Sequence, residues 1–192
     1  MTVWHWVRHG PTHEKAFVGW RDVPADLSDK ERLKRLAEYL PGDAFLVSSD
    51  LQRASATADA IGLGQTRLPH STDIREFNFG EWDGQNFASV ADAHPDLSRA
   101  YWETPGEAAP PGGESWNVAA ARVNAFVDAM TRSYSGRHII AVAHIGVILT
   151  QVQRANAWSP QQAISTYVDN LSVTRINWQT GFPIAEVINH NP

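Results

Sequence analysis

The stretch Val3-Trp4-His5-Trp6-Val7-Arg8-His9-Gly10 decides the fold. It opens as a short apolar run suited to a buried strand and breaks at a glycine. Arg8 and His9 stand at that break, where a strand of an α/β sheet hands over to a loop, and ligands of open α/β sheets bind at this carboxyl end. Arg presents a rigid fork of donors that suits phosphate. A neutral imidazole can attack phosphorus and carry the phosphoryl group covalently. Three residues recur by chance, so such chemistry needs partners further along.

Outward from this strand, Pro11 to Leu27 reads as a long loop. Ser28-Asp29-Lys30-Glu31 has the form of a capping box with Ser28 as cap, and Leu33, Leu36, Ala37 and Leu40 follow at helical spacing until Pro41-Gly42. Phe45 to Ser49 is a second buried strand, and Leu51 to Ile61 a second helix ending at Gly62. The order β-α-β-α predicts a parallel sheet with crossover helices. Residues 73–84 form a carboxylate-rich turn, and 87–102 carry short helical pieces broken at Pro95. Residues 105–114, rich in Pro, Gly and Ala, read as an exposed loop or lid. Ser115 caps a long helix with Ala119, Val123, Phe126, Val127 and Met130 on one face. His138 to Ala143 is a strand ending at His144, Gly146 to Gln153 a helix, and Ser159-Pro160 the start of another. Residues 171–178 and 183–189 form a hairpin turning through Thr180-Gly181.

The chain of 192 residues is read as one domain, 1–192, with 43% hydrophobic and 19% charged residues, as in soluble globular proteins. A net charge of -5 argues against nucleic acid or an acidic membrane as partner. Cysteine is absent, which excludes disulfides, thiolate metal sites and a cysteine nucleophile. No signal or membrane-spanning pattern is seen, so a cytoplasmic location is expected. His9 and His13 lie four apart, but Gly10-Pro11 keeps them off one helical face. His5, His70, His94, His138 and His190 lack a second ligand at useful spacing, so no metal is expected.

Two strands end in a histidine, His9 and His144, and the helix after another strand opens with Arg53. A parallel sheet projects all three at one edge, with Arg53 beside the free N–H groups of a helix start. Read with these, the blocks Arg8-His9-Gly10-Pro11-Thr12, Ser48 to Ala54, Arg75 to Gly84, Pro111 to Ser115 and Ala143-His144 resemble, in order, the histidine phosphatase superfamily, which includes phosphoglycerate mutases and small phosphatases such as α-ribazole phosphatase. The resemblance implies a three-layer α/β/α fold, a mostly parallel central sheet with helices on both faces.

It also implies roles. His9 would be the nucleophile, and Arg8, Arg53 and a cationic His144 would cradle the transferred oxygens, which is what phosphoryl transfer asks of a protein. Glu76 would be the general acid and then the base, for which burial or a nearby anion such as the bound phosphate must raise its pKa; Glu81 is the rival. Thr12 and Lys15 are candidate phosphate contacts, and Trp20 and Arg21 candidate contacts to the leaving group. Lys15 stands where the family often has Asn, and Ala143-His144-Ile145-Gly146 where it often has Ser-His-Gly-Gly. The expected activity is a cofactor-free, acid phosphatase-type phosphomonoesterase acting through phosphohistidine on a small phosphate ester. The segment 84–114 has no Lys and only Arg99, which favours hydrolysis over a mutase. A phosphoglycerate mutase-type transferase and a non-catalytic anion-binding module of the same fold stay open, as does a homodimer.

Overall fold

The computed structural model describes residues 1–178 and 183–192. Six strands form one sheet: β1 (Thr2–Arg8), β2 (Phe45–Ser48), β3 (Thr66–Arg67), β4 (His138–Ala143), β5 (Val173–Trp178) and β6 (Pro183–His190), in the order β3-β2-β4-β1-β5-β6. Strands β1 to β4 pair in parallel, and β5 runs antiparallel to both β1 and β6. The short edge strand β3 has no counterpart in the apolar pattern, because two residues carry no periodicity. The hairpin of β5 and β6 forms as expected, while its turn through Thr180 and Gly181 lies outside the described residues.

Seven helices accompany the sheet among the described residues: α1 (Lys30–Tyr39), α2 (Gln52–Ile61), α3 (Phe87–Ala93), α4 (Pro95–Glu103), α5 (Trp116–Ser133), α6 (Ile145–Asn156) and α7 (Pro160–Ile164). Alternation along β1 sends Trp4 and Trp6 to one face and Val7 to the other. The tryptophans stack, ring centroids 5.0 Å apart, and pack with Ile139, Ala141 and Ile176 under Val123 and Val127 of α5 and Val147, Ile148 and Val152 of α6. On the opposite face Val7, Leu46, Ile140 and Val142 meet Leu33 and Leu36 of α1 and Ala54, Ala58 and Ile61 of α2. The parallel strands β1, β2 and β4 thus bury both faces, the condition under which parallel sheets occur. A third, small core of Phe17, Trp82, Val90 and Tyr101 ties the first loop to α3 and α4. None of the described helices is long and apolar enough to cross a membrane.

Two local expectations change. Asp29, not Ser28, caps α1, its Oδ1 accepting from the Arg32 amide at 3.0 Å. The Ser28 amide instead donates to Asp26 Oδ1. A charged cap also meets the positive end of the helix dipole. The expected lid is pinned at its end: the Glu81 amide donates to the Pro111 carbonyl (2.9 Å) and the Glu114 amide to that of Asn78 (2.8 Å). Gly80, at φ +50°, makes this approach feasible, since a Cβ there would lie 2.2 Å from the Pro111 oxygen.

Candidate active site

At the carboxyl edge of β1, His9 leaves the sheet with its backbone held on three sides. Its amide donates to Ala143 O, its carbonyl accepts from Asn170 Nδ2 (2.8 Å), and the following Gly10 amide donates to Thr57 Oγ1 (3.0 Å). The His9 Nδ1–H donates to Gly10 O at 2.6 Å, which leaves the lone pair on Nε2. Burial, with Arg53 and Arg8 nearby, lowers its pKa to about 3, so the ring is neutral.

His144 follows β4, the neighbour of β1, and its ring centroid lies 5.0 Å from that of His9. It is fully buried, and burial, with His9 and Arg53 beside it, lowers its pKa well below the ordinary value. The cationic His144 expected from sequence is therefore a neutral imidazole in this site. Arg53 Nε donates to its Nδ1 at 3.2 Å, and its Nε2 has no partner.

Arg53, 1% exposed in the first turn of α2, also gives Nη1 to Arg21 O (3.0 Å) and Nη2 to Gly19 O (2.7 Å). The loop that supplies those carbonyls is fixed by Asp83, which accepts from the Gly19 and Arg21 amides. Arg8 Nη1 donates to Val168 O (2.7 Å), while its Nε is buried without a partner.

Glu76 is buried between two single-turn 3₁₀ helices, Thr72–Ile74 and Gly80–Trp82. Burial raises its pKa, against the pull of the Phe77 amide, Arg53, the Gly146 amide and Arg8. Phe77 N donates to Oε1 (3.0 Å) and Gly146 N to Oε2 (3.3 Å). Its carbonyl accepts from Trp20 Nε1 (2.8 Å) and from Arg122, which Glu114 grips through two hydrogen bonds. One cleft of about 270 Å³ exposes Arg8, His9, Arg53 and Glu76 together, with Thr12 on its rim.

Of the other candidates Thr12 alone lines this cleft, and Lys15, Trp20, Arg21 and Glu81 do not. Thr12 Oγ1 accepts a local bond from the Glu14 amide. Lys15 and Glu81 point to solvent, and neither lines the cleft. Arg21 Nη2 pairs with Glu14 at 2.8 Å instead of facing the cleft. Trp20 touches the Glu76 backbone, so its contact is with the acid and not with a leaving group. Arg99 is exposed on α4. Among the described residues no three His, Asp or Glu side chains come together as a metal site would need.

Sequence reading missed Asn170, Thr57, Asp83, Arg122 and Gly146. The first four hold backbone groups of other residues with their side chains and Gly146 acts through the side chain it lacks, which residue type does not announce. Gly146 is the sharpest case, since a Cβ there would fall 2.4 Å from Glu76 Oε1.

Comparison with known proteins bears on family and fold. The chain is 36% identical over 132 residues to a bifunctional protein of Mycobacterium tuberculosis, covering 67% of this chain but 33% of that one. It thus spans about a third of the first curated relatives it matches. It is 35% identical over 156 residues to a glucosyl-3-phosphoglycerate phosphatase of Mycolicibacterium vanbaalenii, covering 74% and 68% of the two chains. The solved structure of YhfR from Bacillus stearothermophilus superposes with a TM-score of 0.88 at 23% identity, over 99% and 98% of the chains, and attests the fold. The family model of the histidine phosphatase superfamily (branch 1) matches residues 5–191, and the chain belongs to that superfamily.

Proposed function

We propose that the protein is a phosphomonoester hydrolase working through a phosphohistidine at His9 on a small phosphorylated metabolite. The observation that carries this reading is the tautomer of His9: with Nδ1–H committed to Gly10 O, the free lone pair sits on Nε2 in a cleft shared with two arginines and a buried carboxyl.

In the first step His9 Nε2 attacks phosphorus and the P–O bond to the alcohol breaks. The leaving oxygen takes the proton that burial keeps on Glu76. In the second, the Glu76 carboxylate takes a proton from water, the hydroxide attacks phosphorus, the P–N bond breaks and inorganic phosphate leaves. Arg8, Arg53 and the Nε2–H of neutral His144 donate to the transferred oxygens, the positioning and charge neutralisation that phosphoryl transfer needs. Beyond Arg8 and Arg53 no further cationic side chain lines the cleft among the described residues, where a mutase would need one to grip a doubly anionic substrate, and this favours water as acceptor.

The test is chemical. Protein quenched during turnover of p-nitrophenyl phosphate should carry one acid-labile phosphate on His9, and His9→Ala should remain folded without turnover. Phosphate release with no phosphoryl-enzyme, or full activity in His9→Ala, would overturn the proposal. Interconversion of 2- and 3-phosphoglycerate without net hydrolysis would assign a mutase instead, and phosphate binding without turnover a non-catalytic module.

A further inference from the structure

A second cavity of about 240 Å³ adjoins the cleft around His9 on the far side of Glu76. Glu76, Phe79, Trp102 and Ile145 form a wall common to both, whereas Arg8, His9 and Arg53 line only the first. The second is enclosed by Tyr101, Ala108, Trp116, Leu149 and their neighbours, and Glu76 is its sole charged side chain among the described residues. The Tyr101 hydroxyl is buried without a partner.

In-line transfer fixes which half of a substrate meets which space. The nucleophile and the leaving oxygen lie on opposite sides of phosphorus, and the leaving oxygen must reach the proton of Glu76. The carbon skeleton of the alcohol then lies beyond Glu76, on the side that His9 does not line. That is the second cavity. Its lining offers a carboxylate or a row of hydroxyls almost no partners, and burying them unpaired is costly. An apolar group loses nothing there. A cavity of about 150 Å³ lined by Leu, Ile and Phe admits benzene, so this one has room for more than a single six-membered ring.

Resting on the hydrolase reading above, we propose that this cavity is the alcohol subsite and that it selects phosphomonoesters whose alcohol carries a bulky apolar group over phosphorylated polyols and hydroxy acids. Ile145 and Trp102 divide the subsite from the phosphate cradle.

Primary-alcohol esters hold leaving-group basicity nearly constant, so phosphate release from 2-naphthylmethyl, benzyl and glycerol 3-phosphate isolates the subsite. The expected kcat/KM rises in the order glycerol 3-phosphate, benzyl, naphthylmethyl, with at least about tenfold between the ends, carried mainly by KM, as burial of a ring predicts. Ala108→Trp, which fills the cavity, should bring the ratio close to one. If that variant does not fold, Gly106→Leu serves, because a Cβ at Gly106 meets only Asn117 Nδ2 at 3.8 Å. Equal or reversed preference in the unmodified protein, or an unchanged ratio in a folded cavity-filled variant, would overturn the subsite. Absence of phosphate release from every ester, p-nitrophenyl phosphate included, would instead overturn the hydrolase reading on which it rests.

Discussion

Arg53 Nε donates to His144 Nδ1 at 3.2 Å, so the single proton of the neutral His144 ring sits on Nε2, the atom left without a partner. One guanidinium thereby sets a tautomer and, through Gly19 O and Arg21 O, holds the first loop against α2. Lysine cannot do both, since an ammonium is a point charge without the planar fork. Arg53→Lys should lower kcat/KM for p-nitrophenyl phosphate by about 10²-fold or more, within the range lost with one preorganised donor. A near-normal rate in this variant would show that the contact is structural.

Gly146 seats the carboxyl of Glu76. Gly146→Ala places a methyl 2.4 Å from Oε1 and 3.0 Å from the Phe77 ring, so the acid must move. The helix gains roughly 1 kcal/mol of propensity from the same change, which offsets part of the crowding. Activity should therefore fall further than stability: kcat for an alkyl phosphate down by about 10- to 100-fold, with the urea midpoint shifted little. A variant that loses stability yet keeps kcat would mean that the carboxyl tolerates displacement.

Glu76→Gln removes the proton donor and the later base while keeping shape. The steady-state kcat should drop about 10²-fold or more. With p-nitrophenyl phosphate, whose leaving group scarcely needs a proton, phosphorylation survives and hydrolysis of the phosphoryl-enzyme does not. One equivalent of nitrophenol should appear in a burst, followed by slow turnover. The Glu81→Gln variant should behave as the parent, since that side chain faces solvent.

Stability should fall on mild acidification. Burial, with His138 and Arg175 near it, lowers His5 from 6.5 to about 4, and His9 lies at about 3. The unfolded chain takes up protons at 6.5 that the folded chain refuses, so their contribution is full above 6.5 and drains as pH falls toward 4. Glu76, raised by burial, acts oppositely above about 4.5, but one such group faces His5, His9 and His144. Urea midpoints should decline from pH 7 to pH 4.5, less steeply in His5→Gln. A flat or rising profile would contradict neutral, buried imidazoles.

How much was legible in the sequence differs by residue. Arg8, His9 and His144 were found because a strand end is written in local apolar pattern and a parallel sheet aligns strand ends. Arg53 is read from the helix start after a strand, and Glu76 from the block around it. Lys15 and Glu81 carried suitable chemistry but lie in solvent, and Arg21 is claimed by Glu14. Residue type names what a side chain can do, not where a loop aims it.

The sequence by itself determined the alternation of strands and helices, both buried faces of the sheet and the edge at which Arg8, His9, Arg53 and His144 gather, because apolar periodicity and turn chemistry act over a few neighbouring residues. Only the tertiary structure decided the protonation of those groups, the seat of Glu76 against Gly146 and the apolar cavity beyond it. Desolvation, and contact between residues seventy or more positions apart, exist only once the chain has closed on itself.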